Sequence, residues 1–273
     1  MFMMASAIAA AVRYNATFVM TQQGDDCEWL AWLQDLLISF STTLPLLPFS
    51  MMENWTSVEG GEYTAFSPIE IRGNNASIAG YRQSWKYFQS EAEQKAIRET
   101  FKFTSKYETS SYKTLEKEAR GKFSCTDHPT FVGIHVRLGD MLEKGNMEYG
   151  YRAANLSFFS SAMKTVTSYF NKSSCLIFIA ASDSFGLAKR MLKPLESNVY
   201  WSTGSWSGDF AALSKCNHSI ISGGTFEFWT AWMAGSKVWY FSKFVKPDTT
   251  FAADFITENF YLPWWKPVGL RID

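Results

Sequence analysis

The stretch Thr130–Asp140, TFVGIHVRLGD, restricts the fold more than any other part of the chain. Phe131, Val132, Ile134 and Val136 give it the apolar content and length of a buried parallel strand. Strand side chains alternate faces, so His135 and Arg137 point one way while Ile134 and Val136 point the other. The polar pair lies at the carboxyl end, where open α/β sheets hold their ligands, and Gly139 supplies a tight exit. The planar, permanently charged guanidinium of Arg137 suits two-point capture of a phosphate or carboxylate. A strand that merely ends in an Arg137–Asp140 ion pair would read the same way, and both readings stay open here.

From Phe131 onward, strands and helices alternate in the manner of a doubly wound sheet. Helices are expected from 155 or 156 to about 170, over 185–192, from Asp209 to Leu213 and over 226–234. Strands are expected over 175–181, 198–201, 218–221 and 238–241. Upstream, a helix over 1–14, a short strand over 16–20 and a helix over 25–37 precede an irregular Trp- and Gly-rich segment. Two surface helices (91–103 and 106–122) then lead to a linker at 123–129. The expected division is 1–128 and 129–273, both α/β.

Three strand ends carry polar groups: His135 and Arg137, then Ser182 and Asp183, then Gly223-Gly224-Thr225. The last enters a helix, whose unpaired amides and dipole favour an anion. A phosphate could therefore meet Arg137 on one side and the helix start on the other. Asp183 can accept hydrogen bonds from a base or ribose, or simply cap the next helix; Asp209 has the same N-cap alternative. Phe226 and His218 read more readily as core residues.

Positive and negative side chains balance, 26 against 26, which removes the electrostatic case for nucleic acid. The four cysteines are far apart without a C-x-x-C spacing, so no zinc site is expected, and Cys175 and Cys216 read as buried thiols. No paired acids follow a strand, so nothing calls for a divalent metal. P-loop, G-x-S-x-G and Rossmann fingerprints are absent as well. Six asparagines open an N-x-[ST] sequon, namely Asn15, Asn54, Asn75, Asn155, Asn171 and Asn217, against about two expected by chance. That excess favours the secretory lumen. The apolar opening MFMMASAIAAAV is shorter than the ~20 residues of a membrane span and reads as a core helix.

HVRLGD at 135–140 and DFAALSKCNHSIISGGTFEFWTAWMAG at 209–235 closely resemble the α-1,2-fucosyltransferases of glycosyltransferase family 11. The likeness continues through Val238-Trp239-Tyr240 and FYLPWWKPV, and upstream through MFMMASAIAAAVRYNAT and AGYRQSW. It implies a GT-B-like fold of two Rossmann-like halves, the first for the acceptor and the second for the nucleotide sugar. It also implies an inverting, metal-independent transfer of L-fucose from GDP-fucose to the 2-hydroxyl of a galactose. By the same resemblance Arg137 would hold the diphosphate and act in catalysis, with His135 beside the nucleotide. Gly224, Thr225, Phe226, Asp183 and Asp209 would make the remaining donor contacts.

Two departures from the family stand out. Leu138 replaces the second arginine of the usual HVRRGD, which bears on acceptor or phosphate contacts. The chain also begins past the family's first strand and Gly-Arg-x-Gly-Asn loop, and past the anchor of a type II Golgi enzyme. The expectation is a truncated sequence, the alternative an inactive protein. Without that loop no general base can be named; Asp140 and Glu148 are weak candidates, each reading more readily as a cap or surface residue. A protein O- or α-1,6-fucosyltransferase shares the His-x-Arg core, and a non-catalytic GDP-fucose- or glycan-binding remnant would keep the donor site.

Overall fold

A computed structural model describes residues 1–22, 33–37, 44–107, 112–124, 129–170 and 175–268. The chain forms two compact units. The first comprises Met1–Thr104 and Asp254–Leu262; the second comprises Ser105–Ala253 and Pro263–Asp273. The contact boundary thus lies at 104/105, ahead of the helix over 112–123, rather than at 128/129.

In the first unit, helix α1 (Phe2–Arg13) is followed by the parallel pair β1 (Met20–Gln22) and β2 (Leu46–Pro48). A second parallel pair joins β3 (Thr56–Val58) to β4 (Ala76–Ile78), and helix α2 (Glu91–Thr100) follows. The strand expected over 16–20 forms later, at 20–22. Of the helix expected over 25–37, residues 33–36 are helical and 25–32 lie outside the described residues. Helix α2 starts with a reciprocal capping box between Ser90 and Glu93. The same Glu93 carboxylate accepts from Arg13 at the end of α1, at 2.7 and 3.1 Å, so one acid ties the two helices together. Between β4 and α2, Arg82 is fully buried. Its Nε and Nη2 donate to the carbonyls of Ala79 and Val58, both at 2.6 Å, and its guanidinium lies 5.3 Å from the Tyr87 ring centre.

The second unit opens with helix α3 (Tyr112–Phe123) and holds a six-stranded sheet in which every pairing is parallel. Its elements are β5 (Thr130–Val136), α4 (Lys144–Tyr149), α5 (Leu156–Tyr169), β6 (Leu176–Ser182), α6 (Phe185–Met191), β7 (Val199–Trp201), α7 (Trp206–Ser214), β8 (His218–Ile221), α8 (Thr225–Ala234), β9 (Val238–Phe241), the short α9 (Thr250–Asp254) and β10 (Lys266–Val268). Helix α10 (Thr257–Phe260) returns to the first unit.

The strand order is β10-β9-β8-β5-β6-β7. The sheet grows outward from β5 through β6 to β7, then restarts on the other side of β5 with β8. That reversal makes the carboxyl ends of β5 and β8 the topological switch point, where doubly wound sheets leave a crevice for a ligand.

Strand β5 is buried from Phe131 to Val136. On its Phe131–Gly133–His135 face, α7 approaches so closely that a Cβ on Gly133 would sit 3.1 Å from Leu213 Cδ2 and 3.3 Å from Cys216 Sγ. Glycine at 133 lets the helix lie down on the strand.

Cys216 is a free, buried thiol whose pKa burial pushes up to about 12. Cys175, expected to be a buried thiol too, is instead disulfide-bonded, and its partner lies outside the described residues. It stands immediately before β6. Among the described residues no helix is long and apolar enough to cross a membrane.

Candidate active site

The carboxyl ends of β5 and β8 at the switch point meet around a buried acid. Glu227, in the first turn of α8, is fully buried and its Oε1 lies 3.0 Å from His135 Nδ1. Its Oε2 accepts from the backbone amides of Gly223, at 2.6 Å, and Ser222. The Ser222 hydroxyl lies 2.9 Å from Glu227 Oε1 and 3.1 Å from the His135 carbonyl, and accepts from the Arg137 amide at 3.1 Å. The end of β5 is thereby stitched to the turn after β8. Of the turn expected to face an anion, the Gly223 amide is instead occupied by this acid, together with the neighbouring Ser222 amide. Helix α8 begins at Thr225 without a side-chain cap, so the start of the helix itself is the anion-attracting feature.

Arg137 bends over that helix start. Its Nε and Nη2 donate to Asp140 Oδ1 and Oδ2 at 3.1 and 2.7 Å. The third nitrogen, Nη1, lies against Gly224, where an added Cβ would come within 2.2 Å of it. Gly224 also has φ +108, in the left-handed region that favours glycine. The Arg137–Asp140 ion pair therefore exists, and it orients the guanidinium while leaving Nη1 directed at the turn. Its side chains are 25% and 45% exposed, so the pair contributes at most about 1 kcal/mol and does not outweigh a charge-assisted bond from Nη1 to a phosphate. Asp140, hydrogen-bonded by the guanidinium, has its pKa held below the ordinary carboxylate range. That makes it a poor proton acceptor. Glu148, the other general-base candidate, is an exposed residue 3.7 Å from Lys144.

The His135 ring packs on Phe226 at a centroid distance of 4.7 Å, and Phe226 meets Phe210 edge-on at 5.1 Å. His135, Arg137, Gly224, Thr225 and Phe226 thus form one cluster.

Asp183 stands behind it in a different occupation. Its two oxygens accept from the amides of Leu138 and Gly139 at 2.9 and 3.2 Å, pinning the loop that leaves β5. Ser184, not Asp183, is the N-cap of α6. Leu138 is buried, so the position where the family has an arginine supplies packing.

Asp209 is not an N-cap either. Ser205 caps α7 by accepting from the Gly208 amide, which starts the helix at Trp206 rather than at Asp209. Asp209 is buried within the first turn, with Ser202 Oγ 2.5 Å from its Oδ1. Burial raises its pKa, an effect opposed by the Ser202 hydrogen bond and by His135. A cavity of about 520 Å³ opens beside it between α3 and α7, lined in part by Leu115, Glu118, Tyr200, Ser202 and Gly204. None of the Arg137 cluster lines that cavity.

Sequence reading missed Glu227 and Ser222. A single acid inside the apolar run TFEFWTAWMA was the available signal, because an unpaired charge there would have no solvated face. Among the described residues no group of three or more His, Cys, Asp or Glu side chains could hold a metal. Of the sequons, Asn15, Asn54 and Asn75 are exposed. Asn155 caps α5 through the Phe158 amide, Asn217 accepts from the Phe131 amide, and Asn171 lies outside the described residues.

A family model described as glycosyl transferase family 11 matches residues 14–269. Galactoside alpha-(1,2)-fucosyltransferase 1 of Homo sapiens is 27% identical over 242 residues, covering 86% of this chain and 64% of that protein. The chain therefore spans less than two thirds of the length of this curated relative. Among solved structures, fucosyltransferase NodZ from Bradyrhizobium superposes with a TM-score of 0.51 at 14% identity, covering 84% of this chain and 86% of the other. A NodZ alpha-1,6-fucosyltransferase crystal soaked with GDP-fucose gives 0.50 at 13% identity, over 85% and 87%. These are likenesses of fold, of the GT-B type expected.

Proposed function

Because this chain belongs to glycosyl transferase family 11, we propose that it transfers L-fucose from GDP-fucose to the 2-hydroxyl of a galactose on a glycan. The observation that carries the reading is Arg137 Nη1 lying against Gly224 at the uncapped start of α8, where the sheet order reverses. In such a transfer the acceptor oxygen forms a bond to the anomeric carbon as the bond to the β-phosphate oxygen breaks, inverting that carbon. The acceptor proton passes to a base and GDP departs with the bonding electrons. Charge grows on the β-phosphate as it leaves. A guanidinium held in place by Asp140 and a helix dipole aimed at the same point stabilise that charge more in the transition state than in the ground state. This supplies positive charge without calling on a metal. The name of the human relative supports the galactose acceptor, and the GDP-fucose soak of a similarly folded enzyme supports the donor.

The proposed setting is the Golgi lumen, with a type II anchor in the full-length protein. Exposed sequons at Asn15, Asn54 and Asn75 and a disulfide at Cys175 support an oxidising compartment.

The test is incubation of the chain with labelled GDP-fucose and either lactose-type glycans or folded peptide domains. Label is expected at the galactose 2-position, and Arg137→Ala is expected to lower the rate by about 10²–10³. Label entering peptide alone would replace this reading with protein O-fucosylation. Calorimetric binding of GDP without turnover would leave a donor-binding protein. Unchanged GDP affinity in Arg137→Ala would remove the diphosphate site altogether.

A further inference from the structure

One ring nitrogen of His135 is held by a buried acid at the switch point, and the other is not. Four polar groups converge on Glu227: the amides of Ser222 and Gly223, the Ser222 hydroxyl and His135 Nδ1. The two backbone amides can only donate, so Oε2 must accept. A carboxylate is acceptor-only at Oε1 as well, so Nδ1 must bring the hydrogen. Nε2 makes no hydrogen bond among the described residues, on a ring that is 7% exposed and faces the charge of Asp209. We infer that Glu227 is a positioning residue for His135: it keeps a proton on Nδ1, so that Nε2 is the ring atom offered to the ligand.

The assignment has a chemical consequence, which rests on the proposed donor site. With Nδ1 always protonated, gain and loss of the imidazole proton occur at Nε2 alone. Neutral His135 then accepts, which matches a ribose, base or sugar hydroxyl or N–H and not a phosphate oxygen. Protonated His135 donates, which matches phosphate. Glu227 thus converts a residue of ambiguous polarity into one whose hydrogen-bonding sense changes once, at one atom.

Glu227→Gln is a near-isosteric test. The fixed amides of Ser222 and Gly223 require the glutamine oxygen in the Oε2 position. Its NH2 then occupies the Oε1 position and donates to Nδ1. Ser222 Oγ can accept from that amide and still donate to the His135 carbonyl. His135 is forced to carry its neutral-state proton on Nε2.

The ring nitrogens of the three histidines are to be read by nitrogen-15 NMR of the full, ligand-free chain in alkaline solution, with His135→Asn identifying the signals. The wild type is expected to show protonated Nδ1 and bare Nε2, and Glu227→Gln the reverse. Affinity for GDP-fucose is expected to fall on the order of tenfold in the variant. A wild-type ring protonated at Nε2, or a variant that retains Nδ1–H, overturns the inference. A reversed tautomer with unchanged affinity overturns the claim that Nε2 meets the ligand. A wild type with Nδ1–H that fails to bind GDP-fucose supports the positioning role and defeats the donor reading instead.

Discussion

Two residues of the site translate directly into measurable outcomes. At Gly224 the backbone has φ +108 and Arg137 Nη1 occupies the space a methyl group would need. Gly224→Ala is therefore expected to destabilise the chain by roughly 1–3 kcal/mol in denaturant titration. It should also remove GDP binding as fully as Arg137→Ala does; a variant that binds GDP normally would place the phosphate site elsewhere. Asp209 makes a prediction in pH. Burial raises its folded-state pKa, so its contribution to stability is full below the unfolded value and is lost as pH rises through the folded one. Asp209→Asn should consequently gain stability relative to wild type between about pH 4 and neutral. A constant difference across that range would mean that the group titrates as in water. His135 and Arg137 were legible in the sequence because strand alternation and a terminal glycine announce them. The occupation of Asp183 was not, because its partners are two amides, Leu138 and Gly139, on another strand's exit loop.

Among the elements, α2 offers the cleanest test. Its capping box runs through Ser90, and Glu93 serves both the cap and Arg13. Ser90→Ala should cost about 0.5–2 kcal/mol in chemical denaturation. Glu93→Ala should cost more, since it also releases α1; equal losses would show that the Arg13 bond contributes nothing. Most strands and helices of the second unit were visible as apolar runs with polar breaks. Three differences from the expected elements have identifiable causes. Helix α7 starts at Trp206 because Ser205 outcompetes Asp209 as the cap. Strand β1 forms at 20–22 because its pairing with 46–48 sets its position, and no local pattern reveals a partner. Strand β10 went unseen because Lys266-Pro267-Val268 is short and contains proline, a residue tolerated on the edge that β10 occupies.

For the whole molecule, alternation of strands and helices gave the class, but the restart of the sheet on the far side of β5 is a property of pairing that no linear pattern encodes. The switch point, and with it the meeting of Arg137 and Gly224, emerged only from the order of strands. The disulfide at Cys175 acts at this scale as well. Reduction is expected to lower the thermal midpoint by an amount equivalent to about 2–4 kcal/mol. An unchanged midpoint under reductant would show that the cross-link adds nothing to the fold. Arg82 sets a different condition on assembly. A guanidinium cannot shed its proton, and among the described residues this one leaves water with the carbonyls of Val58 and Ala79 and one aromatic face to receive it. A half-built cage would strand a bare cation in a dry interior, so the segment from Val58 to Tyr87 has no comfortable intermediate. Its hydrogen-bonded amides, those of Arg82, Gln83 and Ser84 among them, should exchange with deuterium as one block, released in a single opening event.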